Sequence, residues 1–262
     1  MSDRISQESG RSREGSLTIV LNIVVALRPE GQPLVEHWRL RLLGGEGGTS
    51  PQIFAGEVAL GEGRRAILRL IVGGMGRVAA AAAVGVLHGV DFVQVSGDDA
   101  IPRFLPGDDA TSRLPAFWLN VGICGHGRRP VGDVILAAAV HDVTAGHRFE
   151  LHRTFEAPCD VAELETHDAR VTTYPPGDRA VDMEAAGFVA AARRCGANGR
   201  DAIQCLKVVS DNAESPPRDV TRRAERRVLA TETERHMVQL LPIVDALCAR
   251  WMGTALPLRR ED

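Results

Sequence analysis

Several features are scarce in this chain of 262 residues, and each absence excludes a class of protein. No apolar run approaches the roughly 18 residues of a membrane-spanning helix, and the amino terminus has no hydrophobic signal core. A formal net charge of −3 and an isoelectric point near 6.3 leave no basic surface for a nucleic acid. We therefore expect neither a membrane nor a nucleic acid as a partner.

Cysteines are few, and their spacing matches no metal site. The chain has five, Cys124, Cys159, Cys195, Cys205 and Cys248, with no CxxC pair and no cysteine/histidine ligand pattern. We interpret them as reduced thiols, which predicts a cytoplasmic protein without disulfides. Two Gly-Asp-Asp sequences within residues 92–113 could bind a divalent cation. Because no third ligand group stands at a fixed spacing from them, we expect an exposed loop and no metal.

The length and apolar content of the chain are typical of one large α/β domain. An apolar content of 44% is ample for a core. The polar first residues predict a disordered tail over 1–16, which leaves a single domain over 17–256. Runs rich in β-branched residues predict strands, and apolar residues at helical spacing predict helices. The predicted strands include 17–27, 65–72, 115–121 and 202–209, and the predicted helices include 28–38, 78–88 and 183–194.

Two acidic residues in segment 179–211 are the first candidates for a site. Glu184 lies at the start of a predicted helix, and Asp211 follows the strand predicted over 202–209. Ligands of open α/β sheets bind beyond the carboxyl ends of the strands, so both carboxylates are expected to face one crevice. Each also has a purely structural alternative. An acid early in a helix complements the helix dipole, and an aspartate after a strand can cap a turn.

The sequences VDMEAAG and VVSD in this segment resemble those of the nucleoside phosphorylase/nucleosidase superfamily. The resemblance implies a three-layer α/β/α fold around a central mixed, partly barrel-like β-sheet. It implies that Met183 and Glu184 hold the ribose of a nucleoside, a small-molecule substrate. Ser210 and Asp211 would present an acid to N7 of a purine. It also implies that no cofactor is needed and that the protein is a homo-oligomer.

A third acid follows the first predicted strand. Pro29 stands near the start of the predicted helix, where its missing N–H is tolerated. Glu30 stands next to it and could serve only the helix dipole. In the nucleosidases that the chain resembles, an acid at this place activates the attacking water. The resemblance therefore implies a catalytic role for Glu30, beside the proton-donating role of Asp211.

Two glycine-rich segments complete the predicted pocket. The strand-to-helix turn GGMG can bind an anion on its backbone N–H groups, although this signal alone is weak. The resemblance implies that this turn, at the residues Gly74, Met75 and Gly76, borders the sugar. It also implies that the turn NVGICG, after the strand predicted over 115–121, lines the pocket. The residues concerned are Ile123, Cys124 and Gly125.

The second turn also departs from the phosphorylases. Enzymes of the best-known bacterial type hold phosphate there with an arginine and a serine, where this chain has Asn120 and Ile123. A dianion needs charge-assisted donors, so the departure favours hydrolysis over phosphorolysis. A phosphate site built from Arg77 or Arg128 remains an alternative.

Three further residues are weaker candidates. His126 is either an acid/base or a turn residue. Tyr174, the one tyrosine, lies in a strand predicted over 170–174 and is either the group that stacks on the base or a packing residue. Arg226 lies in an arginine-rich helix, and the resemblance implies that it donates a hydrogen bond to the catalytic aspartate. The sequence thus predicts a nucleosidase for a purine-type nucleoside or a 5′-substituted adenosine. A phosphorylase and a non-catalytic ligand-binding relative are the alternatives.

Overall fold

The chain forms a large mixed β-sheet with helices on both faces. A computed structural model describes residues 19–45, 51–59, 65–89, 91–92, 102–103, 115–195, 201–218 and 221–255. The predicted tail over 1–16 and most of the loop predicted over 92–113 lie outside these residues. Among the described helices, none combines the length and apolar composition that a membrane crossing would need.

The secondary structure follows the apolar pattern of the sequence in most places. The helices are α1 (Arg28–His37), α2 (Arg77–Gly89), α3 (Ala185–Cys195) and α4 (Arg223–Ala255). The strands are β1 (Ile19–Val25), β2 (Arg41–Gly44), β3 (Gln52–Ala59), β4 (Arg65–Val72), β5 (Asp91–Phe92), β6 (Pro102–Arg103), β7 (Ala116–His126), β8 (Val134–Asp142), β9 (His147–Glu150), β10 (Asp160–Thr166), β11 (Arg179–Asp182) and β12 (Ala202–Asn212). The helices predicted over 28–38, 78–88 and 183–194 are confirmed within one or two residues, as is the strand over 65–72.

Part of the sheet closes on itself. The strand order is β11-β10-β8-β12-β7-β1-β4-β3-β2, with β9 added to β8. Because β11 also pairs with β7, the strands β7, β12, β8, β10 and β11 form a closed ring. The pairing is mixed, since β12 runs parallel to β7 and antiparallel to β8. The predicted mixed, partly barrel-like sheet is therefore confirmed.

Two hydrophobic cores give the fold its three layers. On one face, α1 and α4 cover the sheet with side chains that include Leu34 and Leu240. On the other face, α2 and α3 pack against each other, and their core includes Phe188. The contact between α2 and α3 is very close at Gly187, where a Cβ atom would lie 2.1 Å from the carbonyl oxygen of Arg77. Glycine at this position lets the first turns of the two helices meet.

One predicted turn is part of a strand. The strand predicted to end at residue 121 continues as β7 to His126, so the NVGICG segment is extended and not a turn. The glycines are there for a different reason. A Cβ atom on Gly122 would lie 2.6 Å from Oε1 of Glu30, and one on Gly125 would lie 2.6 Å from the ring of Tyr174. They leave room for side chains that pack on the strand.

The strand predicted over 170–174 is also wrong. This segment is irregular, and the strands of the region are β10 and β11 on either side of it. In β10, Ala162, Leu164 and Thr166 are buried and alternate with more exposed acidic residues. That alternation is the pattern of a half-buried strand. Segment 170–174 has β-branched residues but no such alternation.

Candidate active site

Four neighbouring strands end at the same edge of the sheet. The strands β4, β1, β7 and β12 are consecutive and parallel, so their carboxyl ends lie side by side. Ligands of open α/β sheets bind at this edge. The predicted acids lie here, at the end of β12 and in the connections that follow β1 and β11.

Glu30 turns back from the first turn of α1 and is buried at this edge, with 3% of its surface exposed. Its Oε2 accepts hydrogen bonds from the backbone N–H groups of Ala26 (2.9 Å) and Leu27 (2.8 Å). Its Oε1 accepts one from the N–H of Ile123 (3.0 Å). A carboxylate has about four acceptor positions, so these three bonds leave room for one more donor. Burial raises the pKa of Glu30, and nearby Lys207 and the three N–H groups oppose that rise.

Glu184 is held by the glycine-rich GGMG turn. Its Oε1 accepts the backbone N–H of Gly76 at 2.8 Å. Gly74 and Gly76 have φ values of +97° and +93°, which only glycine adopts without strain. The backbone of this turn thus donates to the carboxyl group of Glu184. Burial raises the pKa of Glu184 to about 7. Met183 is half-buried beside it, and Met75 is 63% exposed.

A buried lysine that the sequence reading missed lies between the acids. Lys207 of β12 is 2% exposed, and its Nζ lies 2.8 Å from Oδ2 of Asp182. Although burial lowers the pKa of Lys207, Asp182 and Glu184 raise it above its ordinary value, so the side chain is charged. Its charge also acts on Glu30. A lysine in a strand covered on both faces was the available signal, because such a charge needs a buried partner.

Asp182 fixes this lysine in place. Besides Lys207, its carboxylate accepts the hydroxyl of Thr166 at 2.7 Å and the N–H of Ala185 at 2.9 Å. The hydroxyl of Thr166 in turn accepts the N–H of Ala186 at 3.0 Å. The first N–H groups of α3 are therefore tied to a buried network. Glu184 stands immediately before α3, between Asp182 and the first N–H groups of the helix.

Asp211 lies at a bulge near the end of β12. The pairing with β7 shifts between Val209 and Asp211, which leaves Ser210 unpaired. The hydroxyl of Ser210 lies 2.6 Å from Oδ1 of Asp211 and 3.2 Å from the carbonyl oxygen of Cys124. The hydroxyl of Tyr174 donates to Oδ2 of Asp211 at 2.5 Å. Burial and this carboxylate raise the pKa of Tyr174.

His126 is the buried last residue of β7 and pairs with Asn212 at the end of β12. Its Nδ1 accepts the backbone N–H groups of Arg128 (3.1 Å) and Arg129 (2.9 Å), and its Nε2 lies 3.2 Å from Oδ1 of Asp178. Arg129 holds Asp178 with two hydrogen bonds, at 2.7 and 2.8 Å, and Asp160 with a third at 2.8 Å. These contacts agree with the reading of His126 as a turn residue.

The side chains considered for a phosphate site are otherwise engaged. Arg77 binds both oxygens of Asp142 and both oxygens of Asp168. The amide of Asn120 donates to the carbonyl oxygen of Val24 inside the core. Arg128 is exposed. Arg77, the more buried of the two arginines considered for the alternative phosphate site, therefore already has carboxylate partners.

The remaining predicted site residues have modest roles in the structure. Cys124 is buried, and burial raises the pKa of its thiol. Arg226 is exposed on α4 and donates to the carbonyl oxygen of Thr221 at 3.2 Å, so its support of Asp211 stays a prediction. Within the part of the chain that the structure describes, no three metal-ligating side chains come together.

A cavity of about 490 Å³ lies elsewhere, at the amino ends of β7 and β12, and is lined by Pro115, Asp201 and Trp251 among others. The carboxylate of Asp201 accepts the N–H of Ala116 at 3.0 Å and faces Nε1 of Trp118 at 3.4 Å. None of the predicted site residues lines this cavity. The buried acids and the buried lysine are at the opposite end of these strands, and we place the candidate site there.

Comparison with known proteins supports the fold. No family model and no curated protein sequence matches the chain. Among solved structures, the 5′-methylthioadenosine/S-adenosylhomocysteine nucleosidase of Streptococcus pneumoniae, in complex with a transition-state inhibitor, is 19% identical with a TM-score of 0.59, over 88% of this chain and 99% of that one. The S-adenosylhomocysteine nucleosidase of Streptococcus pyogenes is 18% identical with a TM-score of 0.58, over 90% and 99%.

A plant protein has the same architecture. The 5′-methylthioadenosine nucleosidase of Arabidopsis thaliana is 17% identical with a TM-score of 0.56, over 90% of this chain and 98% of that one. At these identities the likeness shows the fold. The chain therefore has the fold of the nucleosidases in the nucleoside phosphorylase/nucleosidase superfamily. The resemblance that VDMEAAG and VVSD predicted is confirmed at that level.

Proposed function

We propose that the protein is a nucleosidase that uses water to cleave the N-glycosidic bond of a purine-type nucleoside or a 5′-substituted adenosine. The observation that carries the proposal is the buried ammonium group of Lys207, which lies 2.8 Å from Asp182 and whose charge acts on the buried carboxyl groups of Glu30 and Glu184. Three carboxyl groups around one cation leave no surplus of positive charge. Such a site opposes a phosphate dianion and tolerates a neutral water molecule.

The free acceptor position of Glu30 gives that water a place. Cleavage of an N-glycosidic bond passes through an oxocarbenium-like sugar, so the nucleophile and the departing base need separate groups. In our proposal Glu30 accepts a proton as the water oxygen bonds to C1′ of the ribose. A pKa raised by burial favours this role, because a general base works best when its pKa is close to the working pH.

The other two acids then act on the sugar and the base. Glu184, fixed by Gly76, accepts the ribose hydroxyls, while Met183 packs on the ring. As the bond from C1′ to the base breaks, its electron pair leaves with the base and Asp211 supplies the proton to N7. In this proposal the backbone of Gly74 and the exposed side chain of Met75 form part of the pocket wall beside the sugar. A homo-oligomeric, cytoplasmic enzyme stays a prediction.

Release of free base tests this proposal. Adenosine, inosine, methylthioadenosine and S-adenosylhomocysteine are incubated with the protein, and free base is measured by chromatography. We expect release from at least one of them and a loss of about a hundredfold or more in Asp211→Asn. The matched control is Asp245→Asn, which removes a surface carboxylate that contacts Trp38 and His37. Near-normal release by Asp211→Asn would contradict the assignment.

A further inference from the structure

The second inference rests on the proposed function and concerns Tyr174. Both oxygens of the Asp211 carboxylate are occupied by hydroxyl groups of the chain itself. Ser210 is the immediate neighbour, with its hydroxyl 2.6 Å from Oδ1. Tyr174 comes from the irregular segment between β10 and β11, and its phenol donates to Oδ2 at 2.5 Å. Oδ2 of Asp211 is thus covered by a group from elsewhere in the chain.

The ring of Tyr174 also covers the strand beside this carboxylate. A Cβ atom on Gly125 would lie 2.6 Å from Cε1 of Tyr174 and 2.7 Å from Oδ2 of Asp211. One on Gly127 would lie 3.2 Å from Cβ of Tyr174. The ring therefore rests on a glycine surface next to the catalytic acid. A flat aromatic ring that hydrogen-bonds to Asp211 makes the contacts that a nucleobase would make.

We propose that Tyr174 is a gate that occupies the base subsite of the ligand-free enzyme and that the nucleobase must displace it. The base and the phenol compete for Oδ2 of Asp211 and for the surface of Gly125. The ring moves out when the substrate enters and returns when the base has left.

The segment that carries the gate is fixed at one end. Asp178 is bound to Arg129 by two hydrogen bonds and lies 3.2 Å from His126. Hydrogen bonding to Arg129 lowers the pKa of Asp178, so this attachment persists over the neutral range. Gly177, which lies between Tyr174 and Asp178 in the chain, has a φ of +89°. Movement of Tyr174 therefore leaves β11 in place.

The position of Tyr174 should change the measured affinity of the protein for a free base. The hydrogen bond from Tyr174 to Asp211 stabilises the closed state, and the apparent affinity for the base falls in proportion to the fraction of molecules that are open. Tyr174→Phe keeps the ring and removes the bond to Asp211. We expect it to bind free adenine about tenfold to a hundredfold more tightly than the wild type does.

The experiment combines calorimetric titration of adenine with a spectroscopic probe. Because Tyr174 is the one tyrosine of the chain, incorporation of fluorotyrosine gives a single fluorine resonance. In the ligand-free wild type this resonance should report a half-buried ring in contact with Asp211, and Asp211→Asn should shift it. Saturation with adenine should move it towards the solvent-exposed position. Ser210→Ala is the control, since it removes the other hydroxyl from Asp211 without freeing the glycine surface and should not tighten binding.

The outcomes separate the gate from the proposed function. Adenine binding that is equal or weaker in Tyr174→Phe, or a resonance that adenine leaves unchanged, overturns the gate while the nucleosidase proposal stands. A solvent-exposed resonance in the ligand-free protein also overturns it. If neither wild type nor Tyr174→Phe binds adenine or releases a base, both proposals fail together. Tighter binding with a moving resonance supports the gate even where no tested nucleoside is turned over.

Discussion

Replacement of Lys207 by methionine tests the charge arrangement on which the site depends. Methionine keeps an unbranched apolar side chain of similar length and carries no charge. Asp182 then keeps the hydroxyl of Thr166 and the N–H of Ala185 but loses its one ion-pair partner among the described residues. Glu30 and Glu184 lose the same nearby cation.

The expected loss of stability is large. Removal of one partner from a buried ion pair costs about 3–5 kcal/mol, because the other charge stays buried without compensation. A domain of ordinary stability has about 5–15 kcal/mol in total, so Lys207→Met should lie near the limit of folding. Asp182→Asn together with Lys207→Met removes both charges and should be less destabilised than the sum of the single variants.

The loss of stability in Lys207→Met should also depend on pH. Without the ammonium group, the pKa values of Glu30 and Glu184 rise further, so these groups protonate more readily in the folded protein. Protonation removes the uncompensated charge, and the deficit of Lys207→Met should shrink as the pH falls from neutrality. Urea unfolding followed by the fluorescence of buried Trp118 and Trp251 measures it. A deficit below about 1 kcal/mol, with additive single and double variants, would refute the reasoning.

Three further predictions follow from close contacts and from one shifted pKa. Gly122→Ala places a Cβ atom 2.6 Å from Oε1 of Glu30, so base release should fall by about a hundredfold or more, and normal release would show that this contact relaxes freely. Gly187→Ala places a Cβ atom 2.1 Å from a carbonyl oxygen at the start of α2, so it should lower the free energy of unfolding in urea by about 3 kcal/mol. The control is Gly85→Ala in α2, which has open space around it and should be neutral or stabilising. The pKa of Glu184 rises from 4.5 to about 7 on folding, so the folded state binds more protons and stability falls as the pH rises through that range. The free energy of unfolding of Glu184→Gln, measured relative to wild type, should therefore rise by about 3 kcal/mol as the pH rises across that range. A difference between the two proteins that does not change with pH would contradict the pKa shift.

Periodicity predicted the elements that carry the acids. The helix of Glu184 and the strand before Asp211 were readable because apolar residues recur at spacings that only one secondary structure satisfies. Glu30 was placed correctly at the start of α1, since Pro29 marks a helix start. The location of the acids at one edge of the sheet was expected from the strand directions, whereas the pairing of β11 with β7 was not readable, because β11 was not predicted as a strand.

The errors have identifiable causes. Gly122 and Gly125 suggested a turn, because glycine is common in turns. In the structure their missing side chains make room for Glu30 and Tyr174 within a continuous strand. The strand β10 was missed because the β-branched residues of segment 170–174 were taken as the strand of this region, although it is the residues of β10 that alternate in burial. Lys207 was missed because one charge in a strand usually points to solvent, and here the ring of strands encloses it.

Identification of the sugar product tests the central claim most directly. A nucleoside that releases its base is incubated with the protein in buffers with and without phosphate, and the sugar is analysed by mass spectrometry. If water held by Glu30 is the nucleophile, the product is the free sugar at equal rates in both buffers, and Glu30→Gln abolishes it. Formation of sugar 1-phosphate, or release that requires phosphate, would contradict the account.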